Sequence, residues 1–139
     1  MDNIDWNNYT KNTNEFSLNG VNTVGKCVDV YDGDTVKIVL NIPINNTLYK
    51  WNCRIARVDT PELRTRNIKE KQFGYQVRDF LREMILDKIV KVRCLDFDKY
   101  GRLLIEIIGI EEQEINISDW LISNNYAFEY NGGKKKQWF

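Results

Sequence analysis

Five short runs of alternating apolar residues, with one helical stripe between the third and the fourth, constrain this fold more than any other feature. Alternation with a period of two is typical of strands that bury one face. In the third run Arg54 alternates with Cys53 and Ile55, so we predict that Arg54 lies on the open face. The predicted strands cover residues 24–30, 36–40, 48–58, 90–94 and 103–107.

The helical stripe between the strands has apolar residues at spacings of three and four, which is typical of a helix packed on a sheet. It consists of Phe73, Val77, Phe80, Leu81, Met84 and Ile85. Pro61 is expected to end the third strand, since proline cannot donate to a ladder. A second, short helix is predicted over residues 117–123, with Asn116 as its cap.

Three strands, a helix, two strands and a short helix is the element order of an OB-type barrel. We therefore predict a mainly β fold with helices (α+β): a five-stranded OB-fold barrel with a helix after strand 3 and a short C-terminal helix. A chain of 139 residues can bury a core without disulfides or a structural metal. The polar, asparagine-rich residues 1–20 predict a flexible arm, and residues 21–139 the single domain.

Composition excludes several kinds of chemistry. The chain has no histidine, which removes Ser-His and Cys-His catalysis and histidine-ligated zinc. Its three cysteines lie in apolar runs, so we interpret them as core residues in a reducing compartment. The N-terminus shows no apolar stretch of signal-peptide or membrane-span length. We expect an intracellular protein that uses carboxylates, arginines, lysines or tyrosines.

Charge is balanced overall but uneven along the chain. Twenty Lys and Arg residues equal twenty Asp and Glu residues, so no global field indicates a nucleic-acid partner. Residues 50–78, however, contain eight basic residues against three acidic ones, and residues 134–136 are all lysine. These segments are either a solvated face or a local anion-binding surface.

Carboxylates recur at predicted strand ends in the stretches YDGDT and VDTPE. Asp34, Asp59 and Glu62, with Asp32 nearby, are oxygen donors of the kind that hard divalent cations require, and such a cluster repels itself without a cation. Each stretch alone also fits an ordinary turn or loop. An EF-hand is excluded, because Ile44 stands twelve positions after Asp32.

Two arginines accompany the carboxylates. Arg54 precedes Asp59 by five residues, and Arg102 follows the Lys99-Tyr100-Gly101 turn. Planar guanidinium groups match the equatorial oxygens of a phosphodiester, on which charge grows during displacement. Two arginines, one cation and one free carboxylate are together the components of a phosphodiesterase.

The stretches DGDT (32–35), RIARVDTPE (54–62) and DKYGR (98–102) occur in this order. With Tyr126-Ala127, they resemble the signature motifs of the staphylococcal nuclease (thermonuclease) family over residues 24–130. The resemblance implies an OB-fold, Ca²⁺-dependent phosphodiesterase. It implies that Asp34 and Asp59 bind Ca²⁺ through carboxylates and Thr60 through its carbonyl, while Asp32 orients water at the metal.

The resemblance also implies roles at the substrate. Glu62 takes a proton from the attacking water or positions it, and Arg54 and Arg102 hold the phosphate. Lys99 and Tyr100 contact neighbouring phosphate or sugar. Tyr130 is our choice for the aromatic residue that stacks on a base, whereas Tyr126 is assigned to the core.

The expected activity is a sugar-nonspecific endonuclease, acting as a monomer away from membranes, that cuts DNA, RNA or both and leaves 3′-phosphate ends. Members of the family continue through a third helix, so the substrate wall made there is expected to be reduced. One alternative is a catalytically weak module that binds nucleic acid or protein. Another is a structural OB-like domain whose acidic and basic residues form ion pairs, although exposed pairs contribute only ~0–1 kcal/mol each.

Overall fold

The computed structural model describes residues 3–139 and confirms the predicted barrel. Five strands close into a barrel in the order β1-β2-β3-β6-β5, and β4 pairs with β7 in a separate two-stranded sheet. A 3-10 helix, Trp6–Asn8, precedes the first strand. The elements are β1 (Asn22–Val30), β2 (Thr35–Ile44), β3 (Thr47–Ile55), β4 (Val58–Asp59), α1 (Ile68–Ile85), β5 (Ile89–Phe97), β6 (Leu103–Ile110), α2 (Ile117–Ser123) and β7 (Phe128–Glu129).

The barrel core consists of the inward positions of the alternating runs. Burial alternates along the first seven residues of β6, as expected for a strand with one face inward. Cys27, Cys53 and Cys94 are free thiols within this core, in agreement with the sequence analysis. The apolar stripe of α1 closes one end of the barrel through Val77, Leu81 and Ile85.

Both helices begin at side-chain caps. Asn67 Oδ1 accepts a hydrogen bond from Glu70 N at 3.1 Å, so α1 starts one turn before the apolar stripe. Asn116 Oδ1 accepts from Asp119 N at 3.1 Å. The predicted second helix and its cap are therefore confirmed.

The third strand is shorter than predicted, and the expectation of one strand through Val58 is wrong. β3 ends at Ile55, and Arg57 adopts a positive φ of 68°. Ala56 is buried instead of lying on the open face, and its N–H bonds to Ile105 O at 2.8 Å. The Arg57 guanidinium stabilises this turn by pairing with Glu106 Oε1 at 3.0 Å and Asp119 Oδ1 at 2.8 Å. The turn separates β4 from the barrel ladder.

The end of the predicted arm packs against the barrel. Leu18 is buried in the core, and Gly20 N donates to Cys94 O at 2.9 Å. Ser17 Oγ donates to Asp96 Oδ1 at 2.7 Å. The first two residues of the arm lie outside the described residues.

Within residues 3–139, no helix combines the length and the apolar character that crossing a membrane requires.

Candidate active site

The YDGDT stretch forms the turn between β1 and β2. Asp32 Oδ1 accepts hydrogen bonds from Asp34 N at 3.1 Å and Thr35 N at 2.9 Å, which closes the turn around one carboxylate. Tyr31 N donates to Thr35 O at 2.9 Å. Asp32 therefore stabilises the turn itself, whereas the Asp34 carboxylate contacts residues outside the turn.

Gly33 permits a close approach between this turn and its neighbours. A Cβ at Gly33 would lie 2.8 Å from Thr60 Cβ and Cγ2 and from Val77 Cγ1. From the sequence alone, Gly33 was predicted only to be part of a turn. Its lack of a side chain instead brings the turn against the DTPE loop and α1.

We expect Gly33→Ala to destabilise the fold by ~1–3 kcal/mol, because the added methyl overpacks the contact with Thr60 and Val77. Urea unfolding monitored by tryptophan fluorescence would measure the change. An alanine variant as stable as the wild type would show that the loop and α1 yield freely at this point.

The Asp34 side chain contacts two residues that are distant from it in sequence, Arg54 and Thr60. Its Oδ2 atom lies 3.3 Å from Thr60 N and 3.5 Å from Arg54 Nη2. Asp34 O accepts a hydrogen bond from Ile55 N at 2.8 Å, which fixes the turn to the end of β3. The structure therefore brings Asp34, Arg54 and the DTPE loop together.

Lys135, which no sequence motif singled out, lies against the second pair of carboxylates, Asp59 and Glu62. Lys135 Nζ is 3.5 Å from Asp59 Oδ1 and 3.5 Å from Glu62 Oε1. Asp59 is almost fully buried, and its Oδ1 accepts no hydrogen bond; its contact with Lys135 is an ion pair only. The only signal in the sequence was the triple lysine, which does not distinguish Lys135 from its neighbours.

Aromatic contacts fix the C-terminal segment, residues 130–139, across the site. Trp138 lies against Phe128 at 4.1 Å between ring centroids and against Phe73 at 5.6 Å. Asn67 Nδ2 donates to Phe139 O at 3.3 Å. This segment therefore packs on α1 through Trp138 and reaches the carboxylates through Lys135, and the reduced substrate wall stays a prediction.

Burial is the largest cause of the raised pKa values of two carboxyl groups, Asp32 and Asp59. It raises the pKa of Asp32 to about 7, with a further increase from the charge of Asp34. Burial also raises the pKa of Asp59, although the charge of Lys135 opposes the shift. A cation beside these carboxylates would favour their charged forms.

The two predicted arginines share one cleft of about 520 Å³. Arg54 pairs in register with Leu104 on the parallel strand β6, and Arg102 lies two residues before Leu104. Arg54 lines the cleft from β3, and Arg102 lines it from the turn that directly precedes β6. Further polar and aromatic residues that line it are Arg57, Asp98, Lys99, Tyr100, Tyr130, Asn131 and Lys135.

Asp98 holds Arg102 in place. Asp98 Oδ2 accepts a hydrogen bond from Arg102 Nε at 2.8 Å, and Oδ1 accepts from the backbone N–H groups of Tyr100 and Arg102 at 2.9 Å. Burial favours the neutral acid, but these hydrogen bonds outweigh it and lower the pKa of Asp98. The DKYGR stretch is therefore a turn that orients its own arginine.

The three tyrosines of the sequence motifs and the C-terminal segment, Tyr100, Tyr126 and Tyr130, lie in two different environments. The Tyr130 ring lies 5.9 Å from Arg54 Cζ and lines the cleft, and Tyr100 is 73% exposed beside Lys99 and Arg102. Tyr126 instead stacks on Phe80 with ring centroids 5.1 Å apart and packs against the core. Tyr100 and Tyr130 are thus the two tyrosines of this cleft.

Calcium fits the chemistry of the donor set. Carboxylate and carbonyl oxygens are hard ligands, and the buried, unbonded Asp59 Oδ1 is the kind of atom that a cation would satisfy. Across residues 3–139, no three Asp, Glu, Cys or His side chains form a metal-holding group. A cation here would therefore depend on Asp34, Asp59 and oxygens other than side-chain carboxylates.

Comparison with known proteins supplies a family. The model of the staphylococcal nuclease homologue family matches residues 52–138. An uncharacterized protein of Methanocaldococcus jannaschii is 31% identical over 93% of this chain and 68% of its own length. An uncharacterized endonuclease of Escherichia coli O157:H7 is 25% identical over 76% of this chain and 60% of its own.

A micrococcal nuclease of Shigella flexneri is 27% identical over 76% of this chain and 58% of its own length. The chain thus spans about two thirds of the archaeal relative and less of the two bacterial ones. The family match covers the VDTPE and DKYGR stretches, the arginine cleft and the segment that includes Lys135. The chain therefore belongs to the family of staphylococcal nuclease homologues.

Proposed function

We propose that this chain is a calcium-dependent, sugar-nonspecific endonuclease that hydrolyses phosphodiester bonds of DNA and RNA to leave 3′-phosphate ends. The observation that supports it most is the junction of Asp34 with Thr60 and Arg54, at 3.3 and 3.5 Å, beside a cleft shared with Arg102. The nuclease names of two relatives agree with it.

The proposed division of labour follows from burial and reach. Arg54 is fixed by Asp34 and by a hydrogen bond to Ile55 O at 3.0 Å, so its remaining N–H groups are preorganised toward the cleft. Arg102 is fixed by Asp98 in the same way. These two donors would bind the equatorial oxygens of a phosphodiester and stabilise the charge that develops there.

Glu62 is the accessible carboxylate of the site. Its side chain is 48% exposed, in contrast to the buried Asp34 and Asp59. Glu62 N donates to Glu70 Oε2 at 2.9 Å, which anchors the loop to α1. An exposed carboxylate beside the phosphate site would accept a proton from an attacking water and direct it at phosphorus.

Asp34, Asp59 and the Thr60 carbonyl would hold Ca²⁺, with water and substrate oxygens completing its shell. When bound, the ion would supply positive charge that draws the phosphate to the site and offsets its charge during displacement. Asp32 keeps the turn closed and thereby keeps Asp34 oriented.

We predict cleavage with calcium, little with magnesium and none after chelation. Calcium accepts six to eight oxygens at about 2.3–2.6 Å in loose geometry, whereas magnesium requires a tight octahedron near 2.0–2.1 Å. Digestion of DNA and RNA with each metal and then with EGTA and EDTA measures this, with Asp34→Ala and Asp59→Ala as matched variants. Full activity in excess chelator would contradict the metal mechanism, and equal rates with magnesium the preference for calcium.

Lys135→Ala is predicted to bind calcium more tightly, because Lys135 and the ion would compete for Asp59. Partly exposed ion pairs contribute ~0.2–1 kcal/mol each, so we expect an increase of roughly 1.4- to fivefold in calcium affinity. Isothermal titration calorimetry gives the affinity directly. Lys134→Ala is the control, since Lys134 is exposed and forms no ion pair with residues 3–139. Equal calcium affinities for the two variants would show that the ion pair of Lys135 with Asp59 does not oppose calcium binding.

A catalytically weak binding module is the second candidate, and Lys135 is the observation that favours it. An ammonium group that neutralises Asp59 and Glu62 suits a domain that binds phosphates without cutting them. Binding of nucleic acid that persists with calcium, without cleavage, would identify this alternative.

A further inference from the structure

A second basic cleft, which we call the flanking cleft, lies outside the proposed active site. It has a volume of about 540 Å³, and its lining contains four basic side chains against the single acidic Asp29. Such a ratio is notable in a chain whose net charge is zero. The cations and the two tyrosines of the flanking cleft are Arg64, Lys71, Arg78, Arg82, Tyr31 and Tyr75.

Two of these four cations are free to bind an anion. Arg78 pairs with Asp79 at 3.0 Å and lies over the Tyr75 ring at 4.6 Å, and Arg82 donates to Val30 O at 3.0 Å. Within residues 3–139, the Arg64 and Lys71 side chains form no ion pair and no hydrogen bond. Both are exposed, so water is the only partner that a ligand would have to replace.

The flanking cleft borders the same carboxylate loops as the arginine cleft does. Tyr31 immediately precedes Asp32, and Arg64 follows Glu62 by two residues. Lys135 lines the arginine cleft and also contacts Glu62 at 3.5 Å. The two clefts share no lining residue, so two separate basic clefts adjoin the carboxylate loops.

We propose that the flanking cleft binds phosphates of the nucleic-acid strand beyond the bond that is cut. This rests on the proposed function. A polymer with one charge per nucleotide that occupies the arginine cleft and crosses the carboxylates next meets Arg64 and Lys71. Tyr31, which is 41% exposed, offers a ring face to a base at the same place. A small nucleotide fills one cleft only, whereas a strand uses both.

The double variant Arg64→Ala/Lys71→Ala tests the proposal by binding without cleavage. It would be made in a Glu62→Gln background with EDTA, and affinity measured by fluorescence anisotropy over a range of salt. The probes are a dinucleotide and an oligonucleotide of about 16 nucleotides, the upper end of OB-fold site sizes. The control, Lys26→Ala/Lys50→Ala, removes the same charge from exposed positions that line neither cleft.

Loss of two phosphate contacts should reduce the salt slope for the long strand by about 1.4, at ~0.7 per contact on single strands, and leave dinucleotide affinity unchanged. The control should keep the wild-type slope. An unchanged slope in the double variant, or an equal loss in the control, would overturn the flanking cleft while leaving the proposed function intact. Failure of the parent protein to bind any oligonucleotide, with EDTA and again with calcium, would overturn both.

Discussion

Arg54→Lys and Arg102→Lys should each cleave nucleic acid ~10²–10³-fold more slowly than the wild type, although both keep their charge. A lysine ammonium cannot make the two-pronged contact of a guanidinium group with phosphate oxygens. It also cannot reproduce the fixed positions that Asp34 and Asp98 give to the two arginines at 3.5 and 2.8 Å. Loss of one preorganised donor typically costs this much in turnover.

Single-turnover cleavage at saturating calcium measures the chemical step for each lysine variant. Arg66→Lys is the matched control, because Arg66 is exposed and lines neither cleft. We expect the control to match the wild type. If both lysine variants also cleave at the wild-type rate, the arginines serve only as ion pairs within the fold.

Glu62→Gln should keep the fold and the affinity for substrate but lose ~10²–10⁴ in rate, since an amide cannot accept the proton from water. The side chain is about half exposed, and within residues 3–139 its one hydrogen-bonding or ion-pair partner is Lys135, so the isosteric amide preserves the packing around it. Rate and affinity must therefore be measured on the same preparation.

Glu70→Gln provides the comparison for Glu62. Glu70 Oε2 accepts from Glu62 N at 2.9 Å and so supports the loop without facing the phosphate site. We expect Glu70→Gln to change activity far less than Glu62→Gln does. A Glu62→Gln rate within twofold of the wild type would remove this residue from the mechanism.

Local patterns predicted most of the fold because the sequence signal of each element lies within the element or next to it. The period of two in the strands, the stripe of α1 and the Asn116 cap all depend on neighbours within one or two turns. The break after Ile55 was not predictable in this way. It depends on Arg57 pairing with Glu106 and Asp119, which are distant in sequence.

In the candidate site, too, local sequence motifs predicted some residues, whereas the positions of others depend on contacts that are distant in sequence. The sequence motifs were sufficient to identify Asp34, Arg54 and Arg102 as candidate site residues. The pairing of β3 with β6 brings the two arginines to one cleft. Lys135 escaped prediction because its position depends on how aromatic residues such as Trp138 fix the C-terminal segment. The close approach of Thr60 and Val77 to Gly33 could not be predicted either, because these residues are distant in sequence and come together only in the folded chain.

The most direct test of the central claim is end-group analysis of the products from internally labelled DNA and RNA, digested with calcium and with chelator. We expect internal cleavage of both polymers, products that end in 3′-phosphate, and loss of cleavage in the chelator and in Asp59→Ala. Intact DNA and RNA after prolonged incubation with calcium, or products that end in 3′-hydroxyl, would contradict it.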